Sequence, residues 1–221
     1  TMPTLGKEGE LTLAHFIGVP LDGSITLQNG QTYTWDDLMD QVKFNEMTKL
    51  IGQTYHATAA VKSVGKPATK DENGPQGITA TLTGGSSSTS YTSEDVMAAS
   101  FDTAIAEAVG RSMGNDCLMA NRKAYSGIYG PGANIHRTPY SGRNFEYYSE
   151  DPFISGKTCA AETTGIQSKG VYVYNKHFVL NDQENNRAGI GTWCNEQALR
   201  EIYLRAFELP IIQADAQCVM T

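Results

Sequence analysis

The sequence lacks the features that take a chain into a membrane or onto a nucleic acid. None of its apolar runs approaches the ~18 residues that a bilayer-spanning helix needs. It opens on Thr1 and Met2 without the basic segment and apolar core of a secretory signal. Its formal net charge is −7, whereas binding a nucleic acid requires a basic face. We therefore expect no membrane contact, no nucleic-acid partner and a cytoplasmic location in a bacterium; a leader removed ahead of Thr1 is the alternative.

Closely spaced metal ligands are absent from the sequence as well. The four cysteines are Cys117, Cys159, Cys194 and Cys218. They lie far apart, and none belongs to the Cys-x-x-Cys pairs that zinc sites usually show. Buried or free thiols are favoured over a disulfide scaffold. We expect no metal ion and no cofactor.

What the sequence does contain is an alternation of helix and strand patterns. Helices are predicted from apolar residues at helical spacing and from capping residues, over 34–51, 92–114, 151–169 and 195–214. Strands are predicted over 78–82, early in 124–150, over 171–180 and from 218 onward. A hairpin is predicted over 23–34, around the turn pair Asn29-Gly30. This order predicts a parallel sheet with crossover helices.

Two polar stretches, 129–152 and 175–184, are predicted to follow strands, where parallel β/α folds place their sites. Lys176 and His177 stand together at the end of an apolar strand and offer several hydrogen-bond donors. A solvated strand end and a core histidine are the alternative interpretation. Arg143 lies among aromatic residues that suit a sugar face, and a structural loop network of arginines with acidic neighbours such as Glu146 is its alternative.

These two stretches together resemble glycoside hydrolase family 3, the β-glucosidase and β-xylosidase family. The matching motifs are Pro-Gly-x-Asn-Ile-x-Arg at 131–137, Gly-Arg-Asn-x-Glu at 142–146, Ser-Glu-Asp-Pro at 149–152, Gly-Ile-Gln at 165–167 and Lys-His-Phe at 176–178. The match continues to Arg-Glu at 200–201 and Phe-Glu at 207–208, about 90 residues in register. The resemblance implies an α/β fold, the (β/α)8 TIM-type barrel. A closed barrel takes ~250 residues, so we expect it here only in part, with roughly its first five strands.

The resemblance also implies a substrate site. In the family, the arginine of the Gly-Arg motif and the Lys-His pair hold hydroxyls of the sugar, which carries over to Arg143, Lys176 and His177. An aspartate just before Gly-Pro binds the same sugar. Asn73 stands at that position here, with Asp71 two residues earlier, so either residue is expected to make a weakened or shifted contact.

The catalytic carboxylates of a retaining glycosidase are expected to lie outside this chain. In the family, the nucleophile is the aspartate of a Ser-Asp-Trp type motif, and no Ser-Asp pair occurs in these 221 residues. The acid/base comes from a separate domain in most members. We therefore expect no catalytic residue here, and an isolated chain that is nearly inactive. Asp182 and Glu184 are expected to brace the loop after the Lys-His strand.

The predicted organisation is an unplaced opening segment, 1–33, followed by the front part of a family 3 barrel, 34–221. The expected partners are a β-linked glucoside or oligosaccharide and, because an unfinished barrel exposes strand edges, the missing barrel half or further copies of the chain. A non-catalytic sugar-binding or barrel-complementing subunit is the alternative function. A reading frame that continues past Thr221 into a Ser-Asp-Trp strand favours the enzyme, and a natural stop favours the subunit. An unrelated α/β protein is the third alternative.

Overall fold

The computed structural model describes residues 5–80, 83–84, 87–120 and 124–221. The chain divides into two compact units, Thr1–Lys70 and Asp71–Thr221. Within the described ranges, no helix is both long and apolar enough to cross a bilayer. All four cysteines are free thiols, as predicted, and Cys117 and Cys159 are buried.

The N-terminal unit contains a hairpin, two helices and a short strand. Its elements are β1 (Ser24–Thr26), β2 (Thr32–Thr34), α1 (Trp35–Asp40), α2 (Phe44–Gly52) and β3 (Ala57–Thr58). The pairing of β1 with β2 is antiparallel and confirms the predicted hairpin. β3 pairs antiparallel with the first residues of β4 (Thr69–Asn73). A small apolar core holds this unit together: Leu11, Phe16, Leu38, Val42, Val61 and Val64.

The single helix predicted over 34–51 is wrong, because the chain forms α1 and α2 there instead. Thr34 caps the first helix as expected, since its side chain accepts from the N–H of Asp37. The side chain of Asp37 in turn accepts from the N–H of Thr34. The break follows Gln41, whose buried side-chain amide donates to the carbonyl of Leu11 and accepts from its N–H. A tertiary contact thus ends a helix that the apolar spacing alone would continue.

The C-terminal unit is a parallel sheet with its crossover helices. The strands lie in the order β4, β5 (Gly127–Tyr129), β6 (Tyr172–Lys176) and β7 (Cys218–Met220), and each pairs in parallel with the next. The connections are α3 (Glu94–Ala98) with α4 (Thr103–Met119), then α5 (Pro152–Gln167), then α6 (Glu196–Ala198), a π-helical turn (Leu199–Tyr203) and α7 (Arg205–Ala214). This run of parallel strands with crossover helices agrees with the predicted partial barrel.

The first parallel strand begins at Thr69, nine residues ahead of the predicted start at 78. Only an isolated bridge from Thr79 to Asn73 forms in the described part of 78–82, and residues 81 and 82 lie outside the described ranges. The observed strand, β4, has the polar sequence Thr-Lys-Asp-Glu-Asn. Its polar side chains form hydrogen bonds within the protein. The strand therefore lacks the alternation of apolar and polar residues from which a strand is predicted.

The predicted helix over 92–114 is also divided, and the strand over 171–180 is shorter than predicted. Phe101 has a left-handed φ of 55° and is 78% exposed rather than part of a buried stripe, and Asp102 then caps α4. β6 stops at Lys176, because the side chain of Asn134 takes both the N–H and the C=O of His177. The helices that begin after Asp151 and Asn195 are confirmed, and both residues cap through their side chains.

Helices α4 and α5 pack unusually closely. A Cβ on Gly110 would lie 2.2 Å from the carbonyl oxygen of Glu162, and one on Gly165 would lie 2.2 Å from that of Glu107. The helices therefore touch backbone to backbone at this crossing, which only glycine permits. On the sheet side, Ile128, Val171 and Val173 pack against apolar side chains of the same two helices.

Candidate functional site

The carboxyl ends of β4 and β6 bring two of the predicted site residues together. Lys176 is the last residue of β6, and its Nζ donates to the Oδ1 of Asn73, the last residue of β4, at 2.9 Å. Lys176 is only 1% exposed. An ammonium this deeply buried must find its partners within the protein.

Glu146 connects Arg143 to the same lysine. Its Oε1 accepts from the Nε of Arg143, and its Oε2 lies 3.2 Å from the Nζ of Lys176. Glu146 ends a short 3-10 turn, Asn144–Glu146, and is 3% exposed. One buried carboxylate therefore stands between two of the cations that the sequence predicted for the site.

His177 follows Lys176, beyond the end of the strand. The side chain of Asn134 fixes its backbone, with bonds of 2.5 Å and 2.9 Å. The ring Nδ1 lies 3.0 Å from the hydroxyl of Tyr147, which also accepts from the Nδ2 of Asn181 at 3.1 Å. In the tautomer in which Tyr147 donates to Nδ1, the ring proton is on Nε2. Nε2 is then a hydrogen-bond donor.

The charges of the site follow from burial and from Glu146. Burial, reinforced by the positive charges of Arg143, Lys176 and Arg187, lowers the pKa of His177 to about 3. Burial also lowers the pKa of Lys176, and the charge of Glu146 acts against that shift. For Arg143, burial alone lowers the pKa, but the hydrogen bond and charge of Glu146 outweigh it and the net shift is upward. His177 is therefore neutral at ordinary pH.

Asp71 lies deeper in the sheet than Asn73. It is two residues earlier on β4 and 1% exposed, and it accepts hydrogen bonds from the hydroxyls of Tyr172 and Tyr174, the latter at 3.0 Å. Of the two residues that the sequence offered for the contact before Gly-Pro, it is Asn73 that borders Lys176.

The loop after His177 forms the outer part of the site. Glu184 accepts from Asn181 at 2.9 Å and from Arg187 at 2.9 Å, and its Oε1 lies 3.6 Å from Arg143. These contacts give Glu184 the bracing position expected from the sequence. Asp182 differs, since burial raises its pKa to about 6 and its Oδ1 has no hydrogen-bond partner among the described residues.

Sequence reasoning did not find three residues that hold the site in place. Asn134, Tyr147 and Asn181 position His177 through its backbone and ring. Asn134 lies inside the Pro-Gly-x-Asn motif, which was a usable signal, but nothing in the sequence connects it to a residue 43 positions later. Across the described ranges, no three His, Cys, Asp or Glu side chains come close enough together to hold a metal ion.

The fold and the site define a β/α-barrel type of protein with donor-rich side chains at the carboxyl ends of its strands. The model of the glycosyl hydrolase family 3 N-terminal domain matches residues 21–221. The chain belongs to this family, which confirms the resemblance predicted from its motifs.

Individual relatives agree with this assignment. β-Glucosidase A of Butyrivibrio fibrisolvens is 36% identical over 183 residues, which are 80% of this chain and 22% of that protein. The β-glucosidase structure from Paenibacillus barengoltzii matches 100% of this chain and 24% of its own, with a TM-score of 0.81 and 28% identity. The Kluyveromyces marxianus β-glucosidase in complex with glucose matches 83% of this chain and 22% of its own, with a TM-score of 0.75 and 32% identity. The chain thus spans about a quarter or less of the length of these proteins.

Proposed function

We propose that this chain supplies the sugar-holding part of the active site of a retaining β-glucoside hydrolase. The observation that carries the proposal is the convergence of Asn73, Arg143 and Lys176 at the carboxyl ends of the strands. The family assignment and the relatives named β-glucosidases support it. Because the chain spans only about a fifth of such a relative, the activity of the whole protein is part of the proposal.

Each of these residues has a role that its chemistry suits. Lys176 and Arg143 donate charge-assisted hydrogen bonds to neighbouring hydroxyls of a terminal β-D-glucosyl unit. Neutral His177 donates or accepts through Nε2. Asn73 offers an amide that accepts from one hydroxyl and donates to another, without the charge that an aspartate would bring there. Together they fix the sugar ring relative to the reacting bond.

The groups that break the glycosidic bond lie outside these 221 residues in this proposal. A retaining mechanism needs two carboxyl groups about 5–5.5 Å apart, one as the nucleophile and one as the acid/base. Two of the carboxylates at this site, Glu146 and Glu184, are engaged by arginine and lysine side chains. They hold cations in place and are poorly suited to attack or protonate a substrate.

The test is glucoside hydrolysis by this chain and by a longer protein that contains it. The chain alone is expected to be nearly inactive on an aryl β-glucoside, and the longer protein active. In the longer protein, Arg143→Ala and Lys176→Ala should each lower kcat/KM about tenfold or more, as expected when a charged hydrogen bond is lost. Arg111→Ala, at an arginine of helix α4 whose side chain is 45% exposed, is the matched control. Unchanged kcat/KM in both site variants would remove the assignment, and robust turnover by the chain alone would overturn the placement of the carboxylates.

The second candidate function is a sugar-binding or barrel-complementing subunit, and an open apolar groove favours it. The groove has a volume of about 370 Å³ and is lined by Phe178, Arg200, Leu204, Phe207, Glu208 and Ile211. Nearby, β7 pairs with β6 alone within the described part of the sheet. The missing barrel half or another copy of the chain would cover both features. Light scattering and thermal unfolding of the purified chain test this. A monomer that unfolds cooperatively would contradict it.

A further inference from the structure

Glu146 is placed to act on two sugar-binding residues at once. Each oxygen of its carboxylate faces a different cation, Oε1 the guanidinium of Arg143 and Oε2 the ammonium of Lys176 at 3.2 Å. The side chain of Glu146 is 5% exposed and that of Lys176 is 2% exposed. Little water reaches either group, so the contact is not a loose surface pair.

The backbone around Glu146 is held on several sides. Its N–H donates to the carbonyl of Arg143 at 3.1 Å, and the carbonyl of Phe145 accepts from the side chain of Gln76 at 2.8 Å. A Cβ on Gly132 would lie 2.1 Å from the carbonyl oxygen of Glu146. Gly132 in turn forms a β-bridge with Lys176. The carboxylate therefore has a fixed origin relative to the lysine that it contacts.

We infer that Glu146 is a positioning residue, whose carboxylate holds the Arg143 guanidinium and the Lys176 ammonium in one arrangement so that both donate to the same sugar. This inference rests on the proposed function for its reference to sugar. Glu146 itself does not contact the substrate. Without it, the two positive side chains would lose the carboxylate that they share. Arg143 would stay charged and could turn towards solvent or Glu184, whereas buried Lys176 would move or lose its proton more readily.

The lysine is the more sensitive of the two cations. Burial and the charge of Arg143 both lower the pKa of Lys176, while the charge and hydrogen bond of Glu146 raise it, with a smaller contribution in the same direction from Glu94. Asn73 accepts from the ammonium but has no charge to offset its burial. Removing the charge of Glu146 should therefore let Lys176 lose its proton at a lower pH. A purely structural role would not change the titration of Lys176.

Glu184 provides a matched control. It is also a glutamate beside Arg143, at 3.6 Å, but its shorter contacts are to Asn181 and Arg187 rather than to Lys176. Glu184→Gln removes the same charge from beside a different nitrogen of the arginine, Nη1 instead of Nε. It should leave the titration of Lys176 close to that of the unchanged protein.

The experiment compares the 221-residue chain with its Glu146→Gln, Glu146→Asp and Glu184→Gln variants. Lysine labelled at the ε position reports the Lys176 titration by NMR in the absence of sugar, and glucose titrations give the affinity at several pH values. In Glu146→Gln, the titration of Lys176 should move to lower pH. Its glucose affinity should fall about tenfold at neutral pH and further as the pH rises. Glu146→Asp keeps the negative charge. Lys176 should therefore titrate at a pH close to that in the unchanged protein, and the loss of glucose affinity should be smaller than in Glu146→Gln.

The outcomes separate this inference from the proposed function. An unchanged Lys176 titration in folded Glu146→Gln overturns the inference, whatever happens to glucose. If Glu146→Gln does not fold, Glu146→Asp decides, and a wild-type titration with wild-type affinity at this shorter side chain also overturns it. If the titration shifts as expected but the unchanged chain and the longer protein both fail to bind glucose, the inference about Lys176 stands and the sugar assignment fails.

Discussion

Two of the places where the C-terminal unit buries glutamate side chains differ in what surrounds the carboxylate. The first is the cation site, formed by Glu146 with Arg143 and Lys176. The second is the carboxyl pair, formed by Glu94 on α3 and Glu162 on α5, both 0% exposed. At the cation site each carboxylate oxygen has a positive partner, whereas the carboxyl pair has neutral ones.

The neutral partners of the carboxyl pair satisfy only half of its oxygens. Glu162 accepts from the hydroxyl of Tyr148 at 2.6 Å, and Glu94 accepts from the side chain of Gln76. The Oε1 atoms of both glutamates are buried without a hydrogen-bond partner in the described part of the chain. Burial raises the pKa of Glu162 to about 8, and burial together with the charge of Glu162 raises that of Glu94 well above its usual range.

The difference shows that burial alone does not decide whether a glutamate is charged. Where two cations converge, the carboxylate is stabilised in its ionised form, and it stabilises those cations in return. Where the hydrogen-bond partners are neutral, burial favours the protonated acid. The same residue type therefore serves as an ionic clamp at the strand ends and as a neutral hydrogen-bonding group between helices.

The strongest way to break the comparison is the same substitution at both places. At neutral pH, Glu146→Gln should lower the free energy of unfolding by about 3 kcal/mol, because it leaves buried Lys176 without its ion-pair partner and leaves Arg143 only the longer contact to Glu184 at 3.6 Å. Glu162→Gln should have a much smaller effect or a stabilising one, because the new amide oxygen still accepts from Tyr148 and no charge is lost from an already protonated acid. Denaturant unfolding of the three proteins measures both. Equal losses at the two positions would contradict the distinction.

The second prediction concerns the pH dependence of stability. The pKa of Glu162 rises from its ordinary value of 4.5 to about 8 on folding. Between these values the folded protein binds the extra proton, so stability is full below the window and falls as the pH rises across it. The slope is at most ~1.4 kcal/mol per pH unit for each proton. Glu162→Gln should make the fall between pH 6 and 8 shallower, as measured by unfolding at a series of pH values.

Asp182→Asn serves as the control for this pH series. Burial raises the pKa of Asp182 to about 6, so it contributes in the same direction but at lower pH. The buried neighbours Tyr148 and Cys159 have raised pKa values and stay neutral throughout. Asp182→Asn should change the dependence of the free energy of unfolding on pH below pH 6 and leave it unchanged between pH 6 and 8. If Glu162→Gln leaves the slope between pH 6 and 8 unchanged, the inference that the carboxyl pair is protonated at neutral pH is wrong.

The parts of the fold that the sequence predicted best are those with local signals. Asp151 before Pro152 and Asn195 before an apolar stripe mark helix starts, and both cap as expected. The errors have tertiary causes. Gln41 ends α1 by binding the backbone of Leu11, and β4 is polar because its residues meet partners on other strands and loops. No local pattern contains such partners.

For the site, the motifs named Arg143, Lys176 and His177 through their resemblance to a family, and the structure brings the first two together. The sequence also allowed Glu146 to pair with an arginine. It did not indicate that the same carboxylate reaches Lys176, thirty residues later, because that contact depends on where two strands end. The choice between Asn73 and Asp71 likewise depends on the structure, in which Asn73 contacts Lys176 at the end of β4 and Asp71 contacts Tyr174 deeper in the sheet.

The smallest effect is expected at an ion pair with the same chemistry as the cation site but on the surface. Arg200 and Glu196 lie 2.9 Å apart at helical spacing, with side chains 70% and 76% exposed. Water screens such a pair and competes for both groups, so Arg200→Gln should change the free energy of unfolding by less than about 0.5 kcal/mol. Raising the salt concentration should remove even that difference. A loss comparable to that of Glu146→Gln would mean that exposure does not separate the two pairs, and the contrast would then have to rest on the number of cations each carboxylate holds.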